Sequence, residues 1–253
     1  MGENNMTQRL VLYAFALSHY CEKARWGLDF TGIDHEVRFT MPGLHRKIAK
    51  KLGTKVGSLP FLATSGGVIE GSSAIIDWAE VHRGPSRESL AGDDPDVVCA
   101  LEKRLDDVLG VHIRRFYYSD ILLTAPASLL PIFSSGLPLG QRLAMRFGWP
   151  KIVPVMIKAM DLGTAQGMQS REILVEELDW LDGLLSDGRP YLTGQHFTRA
   201  DITAASLLAP IVNPAGHPTY SRLAISATFD EAIAPLRERP ISQWVNDMYA
   251  KHR

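Results

Sequence analysis

The stretch RLVLYAFALSHYCEKAR, residues 9–25, decides the fold. Its first part, residues 9–16, is apolar and rich in strand formers, which predicts a buried β-strand. From residue 20 to residue 30 the apolar side chains recur at helical spacing, and Gly32 marks the end of that helix. The sequence therefore predicts a strand that leads directly into a helix, with Ser18 at the junction.

Segments of similar length follow up to residue 83. They are a strand at 36–40, a short basic helix at 44–52, strands at 59–63 and 68–70 around the hairpin signal Ser65-Gly66-Gly67, and a helix at 72–83. A strand–helix–strand unit implies a parallel pair with a right-handed crossover, and a hairpin adds antiparallel strands. We therefore expect a small mixed sheet with helices packed on it.

The second part of the chain differs in its patterns. Residues 84–95, GPSRESLAGDDP, are rich in Gly, Pro, Ser and charge, which is typical of a linker. Residues 124–140, rich in Pro, Ser and Gly, favour a long loop. Strand signals nearly vanish after the linker, and helical spacing is found at 98–116, 174–185, 202–212 and 240–252. These patterns divide the chain into a first domain at 1–84, a linker at 85–94 and an all-helical domain at 95–253.

The composition is that of an ordinary globular protein. The chain has 253 residues, of which 45% are hydrophobic and 22% charged, and its net charge of -1 offers no basic surface for nucleic acid. Its two cysteines, Cys21 and Cys99, do not make a disulfide framework and indicate free thiols in a reducing compartment. Residues 1–9 are polar and lack the apolar core of a secretory signal, so we expect a cytoplasmic protein.

No apolar run in the sequence is long enough to cross a bilayer. Residues 143–160 carry Arg146, Lys151 and Lys158 among large apolar side chains, a composition also found in helices that lie on a membrane surface. The segment lacks a long periodic pattern, so we favour a partly buried helix broken by its prolines. Contact with a membrane surface is therefore not expected.

Ser18 stands where a helix start favours anion chemistry. The first N–H groups of a helix have no partners inside it and its dipole is positive there, so a thiolate is stabilised. A serine hydroxyl can donate a hydrogen bond to a thiolate sulfur, but serine is also a preferred N-cap. Cys21, one turn further on, is either a nucleophile or a small buried hydrophobe.

Two further turns carry candidate binding residues. A cis bond before Pro60 would present the backbone N–H and C=O of Leu59 to a peptide-like ligand. Ser72 and Ser73 stand at a strand-to-helix turn, which either binds a carboxylate or caps the helix.

Together these segments resemble the cytosolic glutathione transferase superfamily, and the chain looks like a serine- or cysteine-type, bacterial-like member with an enlarged helical domain. The matching positions are Ser18 with Arg25 seven residues later, Leu59 with Pro60, Ser72 with Ala74 and Ile75, and Tyr191-Leu192-Thr193-Gly194 followed by a capping box of Thr198 and Asp201. Four matches in the right order are far more specific than any one of them.

The resemblance implies a fold, a ligand and a set of roles. It implies an α/β thioredoxin-like N-terminal domain, an all-α C-terminal domain and a homodimer, with glutathione as co-substrate and no metal. Ser18 would stabilise the glutathione thiolate for attack on a small hydrophobic electrophile. The backbone of Leu59, beside the cis-proline Pro60, would pair with the cysteinyl part of glutathione, and Ser72 would hold its γ-glutamyl carboxylate.

The same resemblance implies neighbours for both ligands. Glu70 and Ser73 join the glutathione-binding set, although the acidic residue that the family has directly before Ser72 is Gly71 here. Residues 119–167 are expected to hold the additional length of the helical domain and to border the electrophile pocket. The aromatic side chains near that pocket are Phe116, Tyr117 and Tyr118.

Two other functions stay open on the sequence. One is a binding or regulatory module with the transferase fold and no transferase activity, which Gly71 and the enlarged region 119–167 favour. The other is a thiol-dependent reductase that uses Cys21.

Overall fold

The computed structural model describes residues 10–219 and 225–253. Strand β1 covers Val11–Ala14 and helix α1 covers His19–Phe30, so the predicted strand-to-helix junction is confirmed. Residues 1–9, on which the expectation about a secretory signal rests, lie outside the described residues. Leu12 and Ala14 are buried, so Ser18 follows directly on a strand of the core.

Three more strands complete a four-stranded sheet in the order β2-β1-β3-β4. The central strand β1 pairs parallel with β2 and antiparallel with β3, and β3 pairs antiparallel with β4. This is the mixed sheet that the sequence predicts. The bounds are β2 Glu36–Phe39, helix α2 Leu44–Leu52, β3 Phe61–Thr64, β4 Gly67–Glu70 and helix α3 Ser72–His82.

Helices α1 and α3 pack on this sheet through fully buried aliphatic side chains. Each buried leucine or isoleucine side chain among them contributes about 1.5–3 kcal/mol relative to an exposed one. The cluster consists of Leu12, Ala24, Leu28, Leu62, Ile75 and Ala79. The strand-to-helix junction at Ser18 is therefore held from both sides by the core of the first domain.

Beyond residue 94 the described chain consists of helices and their connections. Helix α4 (Pro95–Arg104) continues through a π-helical segment, Leu105–Leu109, into α5 (Gly110–Thr124). The remaining helices are α6 Leu130–Phe133, α7 Leu139–Ala159, α8 Thr164–Leu185, α9 Arg199–Val212, α10 Ala227–Arg237 and α11 Pro240–His252. The predicted fold class, a thioredoxin-like α/β domain followed by an all-α domain, is confirmed.

The predicted capping box starts α9, which is buried along its whole length. The carboxylate of Asp201 accepts hydrogen bonds from the backbone N–H of Thr198 at 2.7 Å and from that of Leu192 at 2.8 Å. Burial raises the pKa of Asp201 to about 6. The box fixes the start of the central helix of the second domain.

Two expectations about residues 124–160 are corrected. Residues 124–140 are not one long loop, because Pro126–Leu129 forms a 3-10 turn that leads into α6 and buries Leu129 and Phe133. The prolines at 150 and 154 do not break α7, which runs through both. Both prolines are exposed, so water can satisfy the carbonyl groups that they leave without an intrahelical donor.

Helix α7 is partly buried, as its composition predicts. Met145, Trp149 and Val153 face the core, whereas Leu143 and Phe147 lie on its exposed side. Within residues 10–219 and 225–253 no single helix has the length and apolar character to cross a membrane, and only the bent pair Pro95–Thr124 with Pro126–Phe133 meets that test, by length and composition alone.

A buried charge network joins the two domains. Lys23 of α1 is fully buried, and its Nζ lies 2.8 Å from a carboxylate oxygen of Glu102 and 2.6 Å from one of Asp106. Arg199 of α9 pairs with the second oxygen of Glu102 at 2.7 Å. The Lys23 Nζ also donates to the hydroxyl of Ser73 at 3.0 Å. Because each charge has a partner, the network sets the orientation of α1 against the helical domain.

Candidate functional site

A cavity of about 450 Å³ opens between the first domain and helices α5 to α7. This volume is in the range of small-molecule sites. Of the residues predicted for the site, Ser18, Leu59 and Tyr118 line it. The start of α1 and the turn before β3 contribute one wall, and α5 and α7 contribute the other. The cavity therefore brings these three predicted residues together between its two walls.

Ser18 lines the cavity as the N-cap of α1. Its Oγ accepts a hydrogen bond from the backbone N–H of Cys21 at 3.3 Å, and its own N–H donates to the carbonyl of Phe15 at 3.2 Å. The hydroxyl acts as an acceptor in the cap, and a hydroxyl that accepts can also turn its proton towards a ligand. The cap role and the donor role of Ser18 are compatible in one geometry.

The two residues after Ser18 are anchored to the helical domain. The phenol of Tyr20 donates to the carbonyl of Asp106 at 2.7 Å, and the Nε2–H of His19 donates to the carbonyl of Gly110 at 3.0 Å. Burial, helped by the charge of Arg114, lowers the pKa of His19 to about 3, so its ring is neutral. Both acceptors lie in or beside the π segment, where the regular helical hydrogen-bond pattern changes.

The Leu59–Pro60 peptide bond is cis, as the resemblance implies. The backbone N–H and C=O of Leu59 form no hydrogen bond with the part of the chain that the structure describes. Leu59 also lines the cavity, so both groups are available to a peptide-like ligand.

Ser72 lies at the same edge of the sheet but outside the cavity lining. It is the first residue of α3 and is buried. The N–H of Gly71 donates to the carbonyl of Pro60 at 3.0 Å, which keeps Ser72 beside the Leu59–Pro60 turn.

Glu70 and Ser73, which are predicted to join the glutathione-binding set, both have protein partners in the structure. The Glu70 carboxylate accepts from the backbone N–H of Lys55 at 2.6 Å and of Val56 at 2.8 Å, and these bonds lower its pKa. The Ser73 hydroxyl donates to Asp106 at 2.8 Å within the charge network. Glu70 therefore orders the loop before Leu59, and Ser73 holds the two domains together.

Comparison with known families and structures identifies the same fold. Residues 12–87 match the family model described as the glutathione S-transferase N-terminal domain. The chain has the glutathione transferase fold. A search of curated proteins finds no match.

Solved glutathione transferases share this fold over nearly the whole chain. Glutathione transferase GSTFuA3 from Phanerochaete chrysosporium is 14% identical, with a TM-score of 0.65, over 98% of each chain. The β-etherase LigF from Sphingobium sp. strain SYK-6 is 18% identical, with a TM-score of 0.60, over 96% of this chain and 99% of its own. Glutathione S-transferase-I bound with lactoylglutathione is 16% identical, with a TM-score of 0.55, over 95% and 99%.

Cys21 lies inside this transferase fold and not on the cavity. Its side chain is only 3% exposed, and burial raises the pKa of its thiol to about 11 despite the hydrogen bond with Ser18. A thiol of this kind is protonated at neutral pH and shielded from substrates. The geometry thus favours the small buried hydrophobe of the two interpretations of Cys21.

Of the three aromatic residues predicted for the second substrate, only Tyr118 lines the cavity. Phe116 and Tyr117 pack against Phe229 of α10, with ring centroids 5.2 Å and 5.6 Å apart. Successive residues on a helix point in different directions, so a consecutive triplet cannot share one wall. Phe133 of α6, which the sequence prediction assigned to a loop, lines the cavity as well.

Sequence reasoning also missed the charges of the cavity. Arg46 of α2, Arg114 of α5 and Lys151 of α7 line it, and no Asp or Glu is among its described lining residues. Arg114 stands four residues before Tyr118, so helical spacing from that predicted residue was the signal that pointed to it. Within the described residues no group of three or more His, Cys, Asp or Glu side chains is placed to hold a metal ion.

Proposed function

We propose that the protein is a glutathione-dependent transferase in which Ser18 holds the glutathione sulfur as a thiolate. The observation that carries the proposal is the Ser18 hydroxyl, which lies on the cavity at the N-terminus of α1 and can donate its proton while its oxygen caps the helix. The helix dipole favours an anion at that place, and the cationic lining of the cavity acts in the same direction.

The free backbone of Leu59 supports glutathione as the ligand. A cysteinyl residue has one backbone N–H and one C=O, and Leu59 offers the complementary pair on the wall that carries Ser18. The γ-glutamyl carboxylate would lie at Ser72, where the first turn of α3 supplies N–H groups and a hydroxyl. The structural neighbour bound with lactoylglutathione supports this ligand.

The reaction needs no group beyond these. On binding, the thiol proton leaves to solvent and the Ser18 hydroxyl donates a hydrogen bond to the sulfur. The thiolate then attacks the electrophilic carbon of a small hydrophobic substrate. A carbon–sulfur bond forms, and the leaving group departs with the electron pair of the bond that breaks. The homodimer and the cytoplasmic location are part of this proposal as predictions.

A non-catalytic binding or regulatory module with the transferase fold is the second candidate, and the Glu70 contacts favour it. Glu70 is held by the loop at Lys55 and Val56, and Gly71 carries no side chain, so neither supplies a free carboxylate to the γ-glutamyl amine. Weaker binding of glutathione is the expected consequence. The reductase that uses Cys21 has no such support, because that thiol is buried.

The test is conjugation of glutathione to 1-chloro-2,4-dinitrobenzene by the wild type and by Ser18→Ala. Loss of one preorganised donor predicts a fall in kcat/KM of roughly 100-fold. The pKa of the bound thiol, followed by the ultraviolet absorbance of the thiolate, is expected to rise in the same variant. Ser18→Thr, which keeps both the hydroxyl and the cap, serves as the control.

Unfolding by urea separates catalysis from the loss of the cap, which costs about 1 kcal/mol. If Ser18→Ala binds glutathione and reacts at the wild-type rate, the catalytic role of Ser18 is refuted. Glutathione binding by calorimetry without any conjugation would favour the binding module.

A further inference from the structure

The three cations of the cavity lack the partners that similar side chains have elsewhere in the protein. Arg115, the neighbour of Arg114 on α5, pairs with Asp161 at 3.1 Å, and Arg104 pairs with Glu177 at 2.9 Å. Arg46, Arg114 and Lys151 form no ion pair within residues 10–219 and 225–253.

Arg114 is the most confined of the three. It is partly buried, and its Nε is buried without a hydrogen-bond partner among the described residues. Its charge acts on the rings around it, lowering the pKa of His19 and opposing the rise that burial causes in the pKa of Tyr20 and Tyr118. Removing a guanidinium nitrogen from water without a partner costs free energy, which an anionic ligand would recover.

The three cations lie on two different walls of the cavity. Arg46 lies on α2, on the same wall as Ser18 and Leu59, where the proposed function places glutathione. Arg114 and Lys151 lie on the opposite side, on α5 and α7. That side is otherwise apolar, and we call it the helical wall: Arg114, Tyr118, Lys151, Ile152, Val155 and Met156.

We propose that the electrophile is an amphipathic anion, with an apolar body and a carboxylate or similar anionic group bound by Arg114 and Lys151. This inference rests on the proposed function, since it assigns the helical wall to the second substrate. The apolar body lies against Ile152, Val155 and Met156, and the anionic end meets the guanidinium of Arg114.

The chemistry of these groups explains the choice. A guanidinium matches a carboxylate through two parallel hydrogen bonds, which are stronger and more directional than those of an ammonium group. The phenol of Tyr118 is neutral because burial raises its pKa, so it is a hydrogen-bond donor near the same anion. A neutral electrophile could offer the buried Nε of Arg114 at most an uncharged acceptor, whose hydrogen bond is weaker than that of an anion.

A matched pair of probes tests the inference. 4-Chloro-3-nitrobenzoate and 4-chloro-3-nitrobenzamide share the ring, the leaving group and the activating nitro group, and differ in charge. For each probe, kcat/KM with glutathione is divided by the uncatalysed rate constant. We expect the wild type to prefer the benzoate by about tenfold or more, the size of a charged hydrogen bond.

Substitution of Arg114 gives the decisive comparison. Arg114→Gln is expected to remove most of this preference, chiefly through KM for the benzoate, and Lys151→Gln to reduce it by a smaller factor. The control is Arg115→Gln, on the same helix but away from the cavity, whose preference should equal that of the wild type. Arg114→Lys, which keeps the charge and loses the paired donors, should be intermediate.

Three results would overturn the inference. One is a wild type without preference. Another is an equal loss on both probes in Arg114→Gln, which would assign Arg114 to glutathione or to the thiolate. The third is equal binding of a charged and an uncharged ligand, which is measured if the proposed function fails and neither probe is conjugated. Calorimetry with 4-nitrobenzoate and 4-nitrobenzamide then replaces the rates. Tighter binding of the benzoate that Arg114→Gln abolishes supports the anion site in a protein without transferase activity, and equal binding refutes it.

Discussion

The phenol of Tyr20, two residues after Ser18, donates a 2.7 Å hydrogen bond to the backbone carbonyl of Asp106 in the helical domain. The ring reaches this carbonyl past Gly110, the first residue of α5. A Cβ at position 110 would stand 2.8 Å from Tyr20 Cζ and 3.2 Å from a methyl group of Leu207. The glycine thus makes room for the contact that ties the start of α1 to the π segment.

We predict that Gly110→Ala displaces the Tyr20 ring and lowers the free energy of unfolding by about 1–3 kcal/mol, the usual cost of overpacking. Urea unfolding measures the change. Gly183→Ala in α8 is the control, because a Cβ there meets nothing within 4 Å and alanine is the better helix former. In a Tyr20→Ala background the cost of Gly110→Ala should shrink. Equal costs in both backgrounds would contradict the coupling.

The short-range features around Ser18 are predictable from the sequence, whereas the contacts between residues far apart in the chain are not. The apolar run at 9–16, the cap at Ser18 and the capping box at Asp201 are short-range patterns, and the structure has the strand Val11–Ala14, the cap and the box. The partners of Ser73 stand 50 and 33 residues away, at Lys23 and Asp106, so no local pattern announces them.

The π segment is hidden for a different reason. The single wide turn at Leu105–Leu109 changes the spacing of the apolar side chains only slightly. The apolar residues around it fit the α-helical spacing with or without that turn, so the sequence does not reveal it. Tyr118 was predictable as a cavity residue, and Arg114 was within reach of the same argument one turn earlier.

The charge network yields a second prediction. Lys23→Met leaves Asp106 with only the Ser73 hydroxyl and leaves Glu102 with Arg199, so it should lower the free energy of unfolding by about 3–5 kcal/mol. Lys103→Met is the matched control. Lys103 pairs with Asp107 on the surface, where such a pair contributes about 0–1 kcal/mol.

Urea unfolding of both variants measures the difference. Lys23→Met combined with Asp106→Asn should recover part of the loss, because the uncompensated, partly buried carboxylate is then removed. Similar midpoints for Lys23→Met and Lys103→Met would show that the network contributes no more than a surface pair.

The burial of Cys21 predicts its reactivity. With the pKa of its thiol raised to about 11 and its side chain only 3% exposed, Cys21 should not react with a thiol-specific disulfide reagent in the native protein. Cys99 is exposed and should react. We expect one reactive thiol in the native wild type, two in denaturant and none in native Cys99→Ser. Loss of a disulfide-reduction activity in Cys21→Ser would instead support the reductase.

His19 gives the prediction about pH. Its pKa is about 3 in the folded protein against an ordinary value of 6.5, so between these values the unfolded chain binds more protons than the folded one. The stability that this histidine contributes is therefore complete above pH 6.5 and is lost as the pH falls towards 3. The slope it adds reaches about 1.4 kcal/mol per pH unit in this window.

His19→Gln separates this contribution from the rest of the acid response. The glutamine amide can still donate to the Gly110 carbonyl but takes up no proton, so the free energy of unfolding should fall less steeply between pH 6.5 and 4 than in the wild type. His82→Gln, at an exposed histidine of α3, is the control for replacing a histidine by glutamine. Urea titrations at half-unit intervals give both slopes. If His19→Gln and the wild type lose stability in parallel, the proton uptake of acid unfolding lies at other groups and the neutral, anchored ring beside Ser18 has no measurable role in it.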